Sequence, residues 1–227
     1  MGLGSDAMAY SNGDQVARVL LIRHGRTSHV HEGGLLDRAG IERWRKACDL
    51  AGLAEGDRPS PHLAAEVAQA EVLAASDMPR AVTSVAALAP GRTFTVSTLL
   101  REVPLPIPSV PIRAPLPVWN ALIHMRWGLD ILRGREVSRE ARSQAEAAAT
   151  WCVVAARQAR TGTIAVVTHG VFRRLLARQL VAEGWRFEPG PRSYDHWSTW
   201  RLRATREVVF DRQRRELAGL AARMDFS

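Results

Sequence analysis

The chain has 227 residues, 46% of them hydrophobic, with a formal net charge of +8. That length and apolar content suit one α/β domain with a sizeable core, and no apolar run reaches the ~18 residues that crossing a bilayer requires. The opening stretch MGLGSDAMAYSNGDQ lacks the basic start and apolar centre of a secretory signal.

Residues 1–15 are therefore expected to form a disordered tail ahead of a single domain over 16–227, in a cytoplasmic protein. Cys48 and Cys152 form neither a disulfide framework nor a zinc signature and read as small apolar residues of a reducing compartment. Lys46 is the only lysine, so the positive charge is almost wholly arginine. The sequence shows no long basic run and no alternation of aromatic and basic residues, so neither a nucleic acid nor a membrane is expected as partner.

Residues 16–22, VARVLLI, are suited to a strand buried on both faces. Residues 38–53 place Ile41, Trp44, Ala47, Cys48 and Ala51 at helical spacing. A short apolar run follows at 71–75. Pro79 then stands at a first helical turn, and Val82, Val85, Ala86 and Ala89 continue the stripe to Pro90 and Gly91. Residues 93–97, TFTVS, alternate as a strand does.

Residues 104–117 hold six prolines and no sustained period, the mark of a loop. Residues 118–133 return to helical spacing, with Val118, Leu122, Met125 and Leu129 on one stripe that reads as a core face; part of this segment covering a pocket is the alternative. An Ala-rich helix is expected at 138–160 and a buried strand at 163–168. A helix from 171, a strand at 196–203 and a charged helical tail from 211 complete the chain. This alternation argues for a mixed, mostly parallel sheet in a three-layer α/β/α sandwich.

Two strands end alike. VLLI runs into Arg23-His24-Gly25, and IAVVT runs into His169-Gly170. Ligands of open α/β sheets collect beyond the carboxyl ends of the strands. A glycine there admits close backbone approach, and a following helix offers free N–H groups to an anion. Arg80 stands at the start of the helix after a third strand, and Glu102 lies beyond a fourth. Guanidinium forks match phosphate oxygens, and a carboxyl can protonate a leaving alkoxide and then deprotonate water. Four strand ends thus offer a nucleophile, two arginine clamps, a second histidine and an acid.

These segments resemble the histidine phosphatase superfamily, with its phosphoglycerate-mutase-like fold. LLIRHGRTS resembles its signature, SDMPRAVTSV its Ser-x-x-x-Arg-Ala helix start, LLREV its acid segment and VVTHGVFRRLL its second His-Gly motif, in order over roughly 16–204. The resemblance implies that His24 attacks phosphorus and becomes a phosphohistidine, that Arg23, Arg80 and His169 hold the phosphoryl oxygens, and that Glu102 is the proton donor. It implies a small phosphate ester as substrate, with no cofactor and no metal.

Two departures stand out. His29 and Val30 replace the Trp-Asn pair of many members, and Arg101-Glu102-Val103-Pro104-Leu105 lacks the mutase branch's longer acid pattern. The acid segment favours hydrolysis over a cofactor-type phosphoglycerate mutase; Val30 and that segment support a phosphate-binding protein of the same fold with little turnover, against which the intact set Arg23, His24, Arg80 and His169 argues. His29 and His31 read as solvated or close to substrate rather than as metal ligands, and Thr27 and Ser28 as turn residues or phosphate donors. His62, His124 and His196 carry no motif and read as surface or core. Arg173 and Arg174 are expected to be solvated or ion-paired, with contact to a distal charge of the substrate as the alternative.

Overall fold

The computed structural model describes residues 17–31, 33–134 and 138–205; the tails expected at 1–15 and from 211 lie outside the described residues. The first strand, β1 (Ala17–Arg23), is buried through its aliphatic centre, and Val19, Leu20, Leu21 and Ile22 have no exposed surface. Helix α1 (Arg38–Leu50) starts at Asp37, whose carboxylate accepts from Gly40 N at 2.7 Å. Helix α2 (Pro61–Ala68), which the periodicity does not anticipate, is capped by Ser60 and opened by Pro61. Then come β2 (Val72–Ser76), α3 (Pro79–Leu88) with proline in its first turn, and β3 (Thr95–Ser97), which runs into a 3₁₀ turn at Thr98–Leu100.

Helices α4 (Leu116–Leu132) and α5 (Arg139–Gln158) follow. The chain continues with β4 (Thr163–Thr168), α6 (Gly170–Ala182), β5 (Arg186–Phe187) and β6 (Thr199–Ala204).

The sheet order is β3-β2-β4-β1-β6-β5. β3, β2, β4 and β1 pair in parallel, while β6 runs antiparallel to β1 and β5. Alternation along each strand sends side chains to two cores. Val19, Leu21, Ile164, Val166 and Leu202 meet α5 and α6, where the expected alanine ladder of α5 (Ala141, Ala145, Ala148, Ala149) lets helix and sheet approach. Leu20, Ile22, Ala75, Ala165 and Val167 meet α2 and α3 on the other face. The result is the expected mixed, mostly parallel three-layer α/β/α sandwich.

One expectation is reversed. The stripe Val118, Met125 and Leu129 of α4 faces solvent, at 44%, 59% and 40% exposure. The inward face carries Trp119 and Ile123, which join Ile41 and Ala114 in a small third core against α1 and the proline-rich segment. The Trp119 indole donates to Leu36 O at 2.8 Å. An indole that buries large area and finds an acceptor outweighs several aliphatics, so it decides the helix's rotation.

Candidate active site

The parallel strands end on one edge of the sheet, and β6, running the other way, begins there, with Thr199 opposite Ile22. This edge collects His24, the α3 start that carries Arg80, Glu102, His169 and the segment before β6.

His24 is 6% exposed and His169 is fully buried, and their ring centroids lie 5.0 Å apart. His24 Nδ1 lies 2.6 Å from Gly25 O. A carbonyl only accepts, so Nδ1 carries the proton and Nε2 keeps its lone pair. His169 has the opposite tautomer. Its Nδ1 accepts from Arg80 Nε at 3.2 Å, which places the proton on Nε2. That Nε2 is buried and has no partner among the described residues, and the same holds for Arg23 Nε. Burial, with the cations Arg80 and Arg23 nearby, pushes the His24 ring well below its ordinary pKa. His169 is pushed down by burial and by His24. Both rings are neutral near pH 7.

Arg80 is buried, and besides His169 it donates to Cys48 O at 2.8 Å and to Asp49 Oδ1 at 3.2 Å. The half-buried Arg23 donates to Tyr194 O, and burial lowers its pKa. Glu102 lies two residues beyond the 3₁₀ turn. It accepts from Phe172 N at 2.8 Å, Val103 N at 3.1 Å and Val171 N at 3.3 Å. The α6 N-terminus expected to face an anionic ligand thus already holds a carboxylate of the chain itself, the arrangement the helix dipole favours. Burial nevertheless wins over these donors and raises the Glu102 pKa.

The two glycines differ. A Cβ at Gly25 would stand 2.4 Å from Leu53 and Trp197 and 2.6 Å from Asp57, so this glycine admits protein packing rather than a ligand. A Cβ at Gly170 would find only Arg23, at 3.6 Å or more.

His196, which carries no motif, stands beside His24, its ring 5.4 Å from that of His24. The signal that could find it is the antiparallel sense of the last strand, which brings the residues before it to this edge. Arg173 is neither solvated nor, among the described residues, ion-paired. It is fully buried, donates to Ser193 O and Ser198 O, and lies 4.4 Å from the Trp200 ring. Burial brings its pKa down to about 10. Val30 is 73% exposed, and His29 and His31 take no part in the ring contacts of His24. Among the described residues no group of three or more His, Cys, Asp or Glu is placed to hold a metal ion, and no helix is long and apolar enough to cross a membrane.

Residues 19–209 match the family model of the histidine phosphatase superfamily (branch 1). The chain belongs to this superfamily. The matched region is a histidine phosphatase domain, built on the six-stranded mixed sheet described above.

No curated protein matches the sequence. Among solved structures, it is similar to a phosphoserine phosphatase from Entamoeba histolytica, at 18% identity and a TM-score of 0.43 over 73% of this chain and 80% of that one. It is also similar to a mycobacterial glucosyl-3-phosphoglycerate phosphatase, at 18% identity and 0.46 over 74% and 80%. A protein described as mycobacterial hydrolase 1 gives 17% identity and 0.46 over 82% and 96%. At these scores nothing about the substrate of this chain follows from them.

Proposed function

We propose that this histidine phosphatase hydrolyses a small phosphomonoester through a phosphohistidine on His24, without a metal ion. The observation that carries the reading is the pair of buried N–H groups without partners among the described residues, His169 Nε2 and Arg23 Nε, beside a histidine whose Nε2 is unprotonated. Buried donors without acceptors are costly, and an anion that takes them up removes the cost.

In the first half-reaction the His24 Nε2 lone pair forms a bond to phosphorus while the ester P–O bond breaks. Arg23, Arg80 and His169 donate to the equatorial oxygens, and protonated Glu102 gives its proton to the departing alkoxide. In the second half-reaction Glu102 takes a proton from water as the water oxygen bonds to phosphorus. The P–N bond then breaks, its electrons return to Nε2, and inorganic phosphate leaves. The raised Glu102 pKa suits a group that must be an acid first and a base second. The depressed His24 pKa keeps the nucleophile free.

The test is turnover of an aryl phosphate with EDTA and no added metal, wild type beside His24→Ala. The expected result is phosphate release that the substitution abolishes, with label from a ³²P-ester recovered on His24 after quenching. Turnover that survives in His24→Ala, or that stops in EDTA, would overturn the reading.

A further inference from the structure

The short segment 193–198 ahead of β6 grips the main chain of Arg23 and His24. Arg23 N donates to Ser198 O at 3.0 Å, and Trp197 N donates to Arg23 O at 3.2 Å. His196 Nδ1 lies 3.1 Å from His24 O. Since a carbonyl only accepts, His196 Nδ1 carries a proton and donates it to that carbonyl.

The backbone here is strained. Trp197, at φ 62°, is the one non-glycine among the described residues in the left-handed region. A bulky residue stays there only where its surroundings over-determine it, and such strain gathers at functional sites. The enforcing contacts are specific. The Trp197 indole donates to Asp57 Oδ2 at 2.8 Å. The same carboxylate accepts from Arg26 N at 2.7 Å and Arg26 Nε at 3.1 Å, so it clasps both flanks of the turn at once. The indole also fills the space that Gly25 leaves by having no side chain.

A strained residue, tied to a dedicated carboxylate, thus sets the position of its neighbour His196 against the nucleophile's own carbonyl. We propose that His196 is a positioning residue for His24. Through the hydrogen bond to His24 O it fixes the turn from which the His24 ring projects, and the Trp197–Asp57 clasp holds it there. This rests on His24 being the nucleophile.

The test compares kcat and KM over a pH series for wild type, His196→Ala, His196→Asn and His196→Gln with an aryl phosphate. The amide nitrogen of asparagine stands where Nδ1 stands and can donate to His24 O; that of glutamine stands nearer the place of Nε2. Ala and Gln are expected to lower kcat by about tenfold to a hundredfold, the scale of a slightly misplaced reacting group. KM should hold within about twofold, because the loss is confined to the transition state. Asn is expected to restore most of kcat and to keep both limbs of the wild-type pH profile.

Wild-type kcat in His196→Ala, rescue by Gln instead of Asn, or loss of a pH limb in His196→Asn would overturn the proposal; the last would make His196 a proton carrier. Should His196→Ala fail to fold, Trp197→Phe carries the test, since it keeps a ring and loses the N–H on Asp57. Lowered kcat at unchanged KM supports the proposal, and wild-type kcat overturns it.

A wild type without turnover sinks hydrolysis instead. Positioning is then read from ring ¹⁵N shifts of His24. The Nδ1–H tautomer in wild type and His196→Asn with a tautomer mixture in His196→Ala supports the proposal, and identical spectra overturn it.

Discussion

The ends of β1 and β4 spell the same dipeptide, His-Gly, and use it in opposite ways. At β1, His24 gives its Nδ1 proton to the next carbonyl and presents a bare Nε2, while Gly25 is empty because Leu53, Asp57 and Trp197 fill the space. At β4, His169 receives Arg80 on Nδ1 and presents an Nε2–H, while Gly170 has only Arg23 for company. One end makes a lone pair and the other a donor, which is what attack on a phosphoryl group and support of its oxygens respectively demand. A motif therefore does not carry its role; the partner of the second ring nitrogen does.

The two ends should fail differently when cut. His24→Ala is expected to abolish turnover, because it removes the lone pair that the proposed mechanism sends to phosphorus. His169→Ala removes one donor and is expected to cost about 10²–10³ in kcat, the scale of a lost oxyanion contact, while leaving measurable activity. Initial rates with an aryl phosphate separate the cases. Equal residual rates would mean that the tautomers do not divide the roles in this way.

The glycine at β1 is the next largest break. Gly25→Ala drives a methyl into three packed side chains, and overpacking of this kind costs about 1–3 kcal/mol. In a domain of this size each kcal/mol moves Tm by roughly 2–4 °C. A lowered Tm with a sharp loss of kcat is expected in calorimetry and steady-state assays, since the turn that gives way bears His24, the proposed nucleophile. An unchanged Tm would show that the Leu53–Trp197 packing yields easily.

Both rings share one pH signature. Their folded pKa values lie well below the ordinary 6.5 that the unfolded chain restores. Below pH 6.5 the unfolded state therefore binds more protons than the folded one, and stability must fall as pH drops. That contribution is fully present above 6.5 and is lost towards the folded values. Tm is expected to decline from about pH 7 to about pH 5, and the decline should flatten when both histidines are replaced by asparagine. A slope that survives the double replacement would assign it to other groups. Glu102, its pKa raised by burial, acts in the opposite sense: its contribution is present below its ordinary 4.5 and is lost as pH rises.

Much of this was legible in the chain because it depends on local order. The aliphatic run before His24, the proline before Arg80 and the alanine periodicity of α5 each determine their own element, and the strand-end rule then gathers His24, Arg80, Glu102 and His169. Helix α2 was legible too, through Ser60 and Pro61, but hydrophobic spacing alone passes over so short a helix. What escaped depends on tertiary partners. The rotation of α4 is decided by an acceptor 83 positions away, Leu36 O for Trp119. His196 reaches His24 across 172 positions because β6 runs antiparallel. The carboxylate on the α6 N-terminus comes from a loop that no local pattern places.

The smallest expected effect is at the second glycine, and it is the sharpest test of the contrast. Gly170 opens α6, and its φ lies outside the left-handed region. A Cβ there would make ordinary van der Waals contact with Arg23 Nε at 3.6 Å. Gly170→Ala is therefore expected to stabilise the fold by about 0.4–1 kcal/mol, chiefly by restricting the unfolded chain. Turnover should change by less than about threefold, because the pocket donors keep their places. If Gly170→Ala instead raises KM steeply while Tm rises as expected, the phosphoryl group lies against the backbone at residue 170. The β4 glycine would then serve the ligand as the β1 glycine serves the protein, and the two ends would differ in what approaches them rather than in whether anything does.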